Sequence, residues 1–127
     1  MRTSGRKDAG SAIVDFVLVA PLLIAVALAI LQVVLVMHVR TVLTSAAAEG
    51  ARAAALAGAD TRAGERRARA IIDETIASES VERIVVRRQM AGGATIMALD
   101  IEARLPLLGL LGPTVIHVRG HSLQEQA

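Results

Sequence analysis

Residues 17–37 read VLVAPLLIAVALAILQVVLVM, and only Gln32 interrupts this run of apolar side chains. As an α-helix the run would extend about 32 Å, at ~1.5 Å per residue. That length matches the roughly 30 Å hydrocarbon core of a bilayer. The rest of the 127-residue chain is too short to enclose such a helix in a soluble core. The run therefore predicts one membrane-spanning helix.

The charge distribution predicts the orientation of that helix. Residues 1–10 hold Arg2, Arg6 and Lys7 against Asp8, and they carry the whole formal net charge of +2. A short basic segment before an apolar run is typical of a cytoplasmic flank. We therefore expect a single-pass protein of the cytoplasmic membrane, with a cytoplasmic N-terminus and an extracytoplasmic C-terminal part.

The composition argues against several kinds of site. The chain has no cysteine, and Phe16 is its only aromatic residue. Because no basic face is interleaved with aromatic residues, we expect no nucleic-acid binding. His117, Arg119 and His121 share one face of the third predicted strand, with the two histidines four residues apart. The sequence suggests no third ligand nearby, so we predict no metal and no cofactor. The sequence holds no catalytic motif or phosphate-binding loop, so we expect no enzyme and no small-molecule substrate.

The first half of the chain predicts one long helix, from about residue 12 to 57. The stretch Ala46–Ala57 is almost all alanine, the strongest helix former. Pro21 lies inside the helix and removes one backbone hydrogen bond, so we expect a bend there. Residues 1–10 are polar and are expected to be disordered or removed.

The second half predicts a small α+β domain. Gly58-Ala59-Asp60 ends the long helix, and Asp60 can cap an amphipathic helix from Thr61 to Ser78. Alternating apolar residues and the Gly92-Gly93 turn signal then predict a three-stranded antiparallel sheet. Its strands are expected at Arg83–Met90, Ala94–Arg104 and Thr114–Ser122, with a loop bracketed by Pro106 and Pro113.

The predicted fold class is thus α+β, with a long N-terminal helix whose first half spans the membrane. We divide the chain into a leader at 1–10, a transmembrane helix at 11–37, a helix extension outside the membrane at 38–58 and a small extracytoplasmic domain at 59–127.

Asp15 is the most informative residue. It stands at the start of the apolar run, with no cation within one helical turn downstream. An ionised carboxylate beside lipid costs about 2.5–3.5 kcal/mol, so it normally has a partner. Taken alone, Asp15 is compatible with a solvated carboxylate at the level of the lipid headgroups.

The string Gly10-Ser11-Ala12-Ile13-Val14-Asp15-Phe16 resembles the processing site of type IV prepilins. There, a short basic leader ends in glycine and an acidic residue stands fifth after the cut. The resemblance implies that prepilin peptidase cleaves between Gly10 and Ser11. The new ammonium of Ser11 would then offer a counter-charge to Asp15, and pairing between neighbouring subunits would turn a buried-charge penalty into an assembly signal.

More specifically, residues 9–58 resemble the TadE-like minor pilins (pseudopilins) of the tight-adherence (Tad) pilus system. The resemblance rests on Gly10-Ser11-Ala12, Asp15-Phe16, Pro21 and the Glu-Gly-Ala-Arg sequence at 49–52. It implies a subunit of an adhesion or secretion pilus. The implied partners are the membrane, prepilin peptidase, other pilin subunits and the pilus assembly platform. One departure is that the family usually has Glu where this chain has Asp15, which shortens the reach of the carboxylate by one methylene.

The helix extension also carries candidate packing residues. Ala46, Gly50, Ala54 and Gly58 recur every four residues, and such a stripe lets helices approach closely. A segment this rich in alanine, however, places small residues at any spacing. Glu49 and Arg52 could form a weak local ion pair or be ordinary solvated groups. The predicted helix-packing set is Pro21, Ala46, Glu49, Gly50, Arg52 and Ala54.

Two alternatives remain open from the residues. An unprocessed, single-pass membrane-anchored adaptor or scaffold would keep residues 1–10 and leave Asp15 without a partner. An exported protein cut by signal peptidase at Ala27-Leu28-Ala29 would keep an exposed apolar N-terminus, from Ile30 to Met37. The apolar run is also too long for a standard signal peptide.

Overall fold

The computed structural model describes residues 5–56, 58, 60–75, 78–106 and 112–124. Two helices precede a three-stranded antiparallel sheet of order β1-β2-β3, which confirms the predicted α+β class. The chain forms two compact units, Met1–Leu35 and Val36–Ala127. The elements are α1 (Gly5–Leu56), α2 (Thr61–Thr75), a 3-10 turn (Ser78–Ser80), β1 (Val81–Ala91), β2 (Ala94–Pro106) and β3 (Pro113–Leu123).

The first unit contains the apolar part of α1. Its large apolar side chains, from Ile13 to Leu35, are exposed. No residue of its most apolar 18-residue stretch is buried within the chain. Within the described residues, α1 is the one helix long and apolar enough to cross a membrane. The chain therefore fits a single-pass membrane protein. The helix continues through Pro21, and the predicted bend there stays a prediction.

The start of α1 corrects one expectation. The helix begins at Gly5, so disorder of the leader is wrong for residues 5–10. The physical reason is that extending a helix that already exists costs much less than nucleating one. The apolar run nucleates α1, and the polar residues before it continue the hydrogen-bonded ladder. Residues 1–4 of the predicted leader lie outside the described residues.

The second unit has two layers, with the rest of α1 and α2 against one face of the sheet. Alternate residues of β2 from Met97 to Leu105 point into this core, as the period of two in the sequence predicted. Val39 and Leu43 of α1 and Ile72 of α2 supply the large side chains opposite them. The largest fully buried side chains are Leu43, Ile72, Met97, Leu99 and Ile101.

The predicted connections are largely confirmed. Asp60 caps α2, because its Oδ1 accepts a hydrogen bond from the Arg62 backbone N–H at 2.9 Å. Gly92 and Gly93 have φ values of 58° and 82°, as a tight hairpin turn of type I′ requires. α2 is described from Thr61 to Thr75, and a 3-10 turn starts at Ser78. Residues 76 and 77 of the predicted helix lie outside the described residues. Residues 107–111, in the predicted loop between the second and third strands, lie outside the described residues.

Candidate processing and assembly segment

Gly10 lies inside α1 and is exposed. A Cβ built on it would meet no heavy atom within 4 Å. No packing within the described chain therefore requires glycine at this position. Ser11, the next residue, is also helical and exposed.

Asp15 lies one helical turn after Ser11, so the two residues share a face of α1. The side chain is exposed, and it forms no ion pair with any residue whose side chain the structure describes. Phe16 beside it is 72% exposed. The start of the apolar run thus presents a carboxylate and an aromatic ring to the surroundings of the chain.

The small-residue stripe of α1 packs within the chain. Ala46, Gly50 and Ala54 are buried, and a Cβ on Gly50 would lie 2.8 Å from the carbonyl oxygen of Gly64 in α2. A Cβ on Gly64 would lie 2.7 Å from the carbonyl oxygen of Gly50. The two helices therefore touch backbone to backbone at these glycines. Gly58, the fourth predicted member of the stripe, lies beyond the end of α1, so its inclusion is wrong.

A second close approach joins α1 to the sheet at Gly120. A Cβ on this β3 residue would overlap the backbone of Ala47 and lie 2.5 Å from the Ala48 nitrogen. Neither Gly120 nor Gly64 was predicted from the sequence to make such a contact. A signal for both existed, because glycine weakens a strand or helix interior and commonly marks a close backbone contact.

The Glu-Gly-Ala-Arg sequence of α1 divides between two faces of the helix. Gly50 and Ala51 are buried, whereas Glu49 and Arg52 form a surface ion pair with Nη1 and Oε1 3.2 Å apart. Their side chains are 40% and 66% exposed, respectively, so solvent screens the attraction strongly. Pro21, the remaining predicted packing residue, is exposed in the first unit.

An exposed face of α1 in the second unit carries Thr41 and Thr44. The hydroxyls of Thr41 and Thr44 donate hydrogen bonds to the carbonyl oxygens four residues earlier, at 2.9 and 2.8 Å. Their own helix satisfies these hydroxyls, so the charge on this face comes from Arg40, which is exposed and forms no ion pair with described residues. It forms a shallow depression of about 510 Å³ lined by Met37, Arg40, Thr41, Thr44, Ser45 and Ala48.

The solvent-facing side of the sheet is polar. His117 and His121 are exposed there, on the same face of β3 as Arg119, as the sequence predicted. Arg119 forms an ion pair with Asp100 of β2. Among the described residues, no group of three or more histidine or carboxylate side chains is arranged to hold a metal ion.

Comparison with known families identifies a segment in the N-terminal half of the chain. Residues 10–52, about a third of the chain, match the sequence model of the family described as TadE-like protein. The match begins at Gly10 and ends at Arg52, so it includes Asp15, Pro21 and the Glu-Gly-Ala-Arg sequence, and it confirms the resemblance over this segment. α2 and the sheet lie outside the matched segment. No curated protein and no solved structure matches the chain.

Proposed function

We propose that this chain, whose residues 10–52 form a TadE-like segment, is a minor pilin-like subunit that takes part in assembling a Tad-type adhesion or secretion pilus. One observation carries the proposal. An exposed glycine that the fold does not need stands five residues before an exposed carboxylate with no ion-pair partner among the described side chains, at the start of an apolar helix. Cleavage after Gly10 and assembly through Asp15 account for both residues.

Cleavage after Gly10 requires the backbone of α1 to open locally, since proteases bind extended chain. Glycine makes this easier, because it costs a helix interior about 1 kcal/mol relative to alanine. The absence of a Cβ also lets the peptidase approach the scissile bond closely. We expect prepilin peptidase, itself in the membrane, to act on the cytoplasmic side.

Assembly through Asp15 follows from the new N-terminus. The ammonium of Ser11 in one subunit would meet the Asp15 carboxylate of a neighbour, so that each chain satisfies a charge that is costly beside lipid. The exposed face of α1 that contains Thr41 and Thr44, whose hydroxyls are bonded within the helix, offers neighbouring subunits a surface for helix packing. The small domain stays extracytoplasmic in this arrangement.

The first test of this function changes the cleavage site. Gly10→Val places a branched side chain beside the scissile bond, and we expect it to block maturation. The intact mass of the protein isolated from membranes would then correspond to the full chain, without loss of residues 1–10. Ala25→Val, an exposed position further along α1, is the matched control and should mature normally. Loss of residues 1–10 from the Gly10→Val protein would contradict the cleavage proposal.

The second test removes the assembly charge. Asp15→Ala should be cleaved normally, yet incorporation into sheared surface filaments should fall by about tenfold or more, since the ammonium of a neighbour loses its partner. Asp15→Glu keeps the charge and should assemble at least as well as the natural chain. Equal incorporation of Asp15→Ala and the natural chain would show that this carboxylate plays no part in assembly.

An unprocessed single-pass adaptor is the second candidate. It is favoured by the unbroken helix from Gly5 through Ser11, which holds the proposed cut in a conformation that proteases do not bind. The mass measurement separates the two candidates, because an adaptor would be isolated only with residues 1–10 attached.

A further inference from the structure

The outer face of the sheet is covered by neither helix. Both α2 and the second part of α1 pack against the opposite face, which holds the buried side chains of β2. The outer face is concave, with a depression of about 440 Å³ over the paired strands. We call this depression the outer groove. It is lined by Arg83, Val85, Arg87, Asp100, Ile101, Glu102, His117, Val118 and Arg119.

The outer groove carries unpaired positive charge. Arg119 is neutralised by Asp100, and Arg104 at the edge by Glu82 at 3.0 Å. Arg83 and Arg87 are exposed, four residues apart on the same side of β1, and neither forms an ion pair within the described part of the chain. Glu102 also lines the groove and lies opposite Arg83 in the strand register. The lining therefore has three arginines and two carboxylates, and its net charge of +1 favours an anionic partner.

A second surface of the same domain has the opposite charge. Asp73 and Glu74 in the last turn of α2, and Glu79 in the following 3-10 turn, are exposed and form no ion pair with described residues. The last turn of α2 contains no basic residue. Carboxylates at a helix C-terminus meet the negative end of the helix dipole, so this acidic end is unfavourable until a cation approaches it.

We propose that the acidic end of one copy of this chain binds in the outer groove of the next copy. Asp73 and Glu74 of one subunit would neutralise Arg83 and Arg87 of its neighbour. Because the contact joins two different surfaces, each copy can bind one neighbour through each surface, so the contact can extend beyond two copies into a ring or an open chain. The inference rests on the proposed function, in which copies lie side by side in one membrane or filament.

The strength of the contact depends on whether the copies lie side by side in one membrane or filament. Exposed ion pairs are individually weak and screened by salt. Copies confined to one membrane, however, meet at a high effective concentration, at which weak contacts become populated. The contact therefore belongs to subunits that are already membrane-inserted or assembled.

Disulfide cross-linking of the full chain in membranes tests the contact, because the natural chain has no cysteine. Val85→Cys lies in the groove and Thr75→Cys lies beside the acidic end, and both leave every charge in place. In cells that make differently tagged copies of each, we expect disulfides between the two variants to exceed those between like copies. Equal yields, or no disulfide between the two variants, would overturn the proposal.

Charge exchange supplies the specific test. Arg83→Glu with Arg87→Glu in the Val85→Cys copy should lower the mixed disulfide about tenfold, which corresponds to ~1.4 kcal/mol. Asp73→Arg with Glu74→Arg in the other copy should restore it, which also shows that both variants fold. Arg62→Glu with Arg67→Glu, exposed on α2, is the matched control and should leave the yield unchanged. Failure of the restoring exchange would refute the contact.

The mass of the same preparations separates this proposal from the proposed function. Normal loss of residues 1–10 without a mixed disulfide would refute the contact alone. A charge-dependent mixed disulfide between copies that keep residues 1–10 would support the contact and refute maturation as a pilin.

Discussion

The two parts of α1 differ in what covers their side chains. From Ile13 to Leu35 the helix carries large apolar groups that are exposed in the isolated chain. From Val36 to Leu56 it carries mainly alanine and glycine on the face that touches α2 and the sheet, and these residues are buried. The side chains of the first part are covered only by the medium around the chain, whereas those of the second part are covered by α2 and the sheet.

This difference determines which changes each part tolerates. Lipid accepts apolar side chains of many sizes but penalises charge. A contact between two backbones excludes even one added methyl group, whatever its polarity. We therefore expect the first part of α1 to be sensitive to charge and the second to size.

The largest effect is expected from Gly120→Val. The new side chain would overlap the backbone of Ala47 in α1, which cannot move aside as a flexible side chain would. We expect the free energy of unfolding, measured for the full chain in detergent micelles by urea titration, to fall by about 3 kcal/mol or more. The same substitution at Gly10, where a Cβ meets nothing within 4 Å, should leave it nearly unchanged.

His121→Val is the control for the strand itself, because His121 is exposed and adjacent to Gly120. It should change the free energy of unfolding by less than about 0.5 kcal/mol. If Gly120→Val cost no more than His121→Val, then α1 would not lie against β3 as described.

An intermediate effect is expected from a charge in the first part of α1. Ile24→Arg should disfavour membrane insertion by about 2.5 kcal/mol, since the long side chain can partly reach the headgroups. The inserted fraction can be measured by protease protection in membrane vesicles. Thr44→Arg, exposed in the second part, should insert like the natural chain. Equal insertion of both variants would remove the distinction between the two parts.

The sequence predicted the elements of this fold because their signals are local. The period of two identified the strands, and the Gly92-Gly93 pair identified the turn between the first two. Asp15 was singled out because a carboxylate stands at the start of the apolar run, whereas the role of Gly10 came from the resemblance to the prepilin processing site, and both stay predictions. The helical start at Gly5 was missed because a polar segment does not show whether a neighbouring helix extends into it.

Contacts between distant segments were harder to predict. The stripe of Ala46, Gly50 and Ala54 was visible, but its partner was not, because the return of α2 to this face depends on the path of the whole second unit. Gly64 and Gly120 stand in unrelated positions along the chain and share no period with the stripe. Only the fold shows that each one permits a close approach to α1.

The smallest effect on stability is expected from the ion pair of Glu49 and Arg52. Comparing it with Gly50 separates surface charge from close packing within the Glu-Gly-Ala-Arg sequence. A double-mutant cycle with Glu49→Ala and Arg52→Ala should give a coupling of about 0.3–0.5 kcal/mol in urea titration, because both side chains are well exposed. Gly50→Ala, between them, should cost about 1–3 kcal/mol, since its methyl group would press on the Gly64 carbonyl. A coupling above about 1 kcal/mol would mean that the charged pair stabilises the fold. A small coupling would mean that the charged pair contributes little to the stability of the fold. A requirement for both charges would then be seen in assembly, measured by incorporation into filaments.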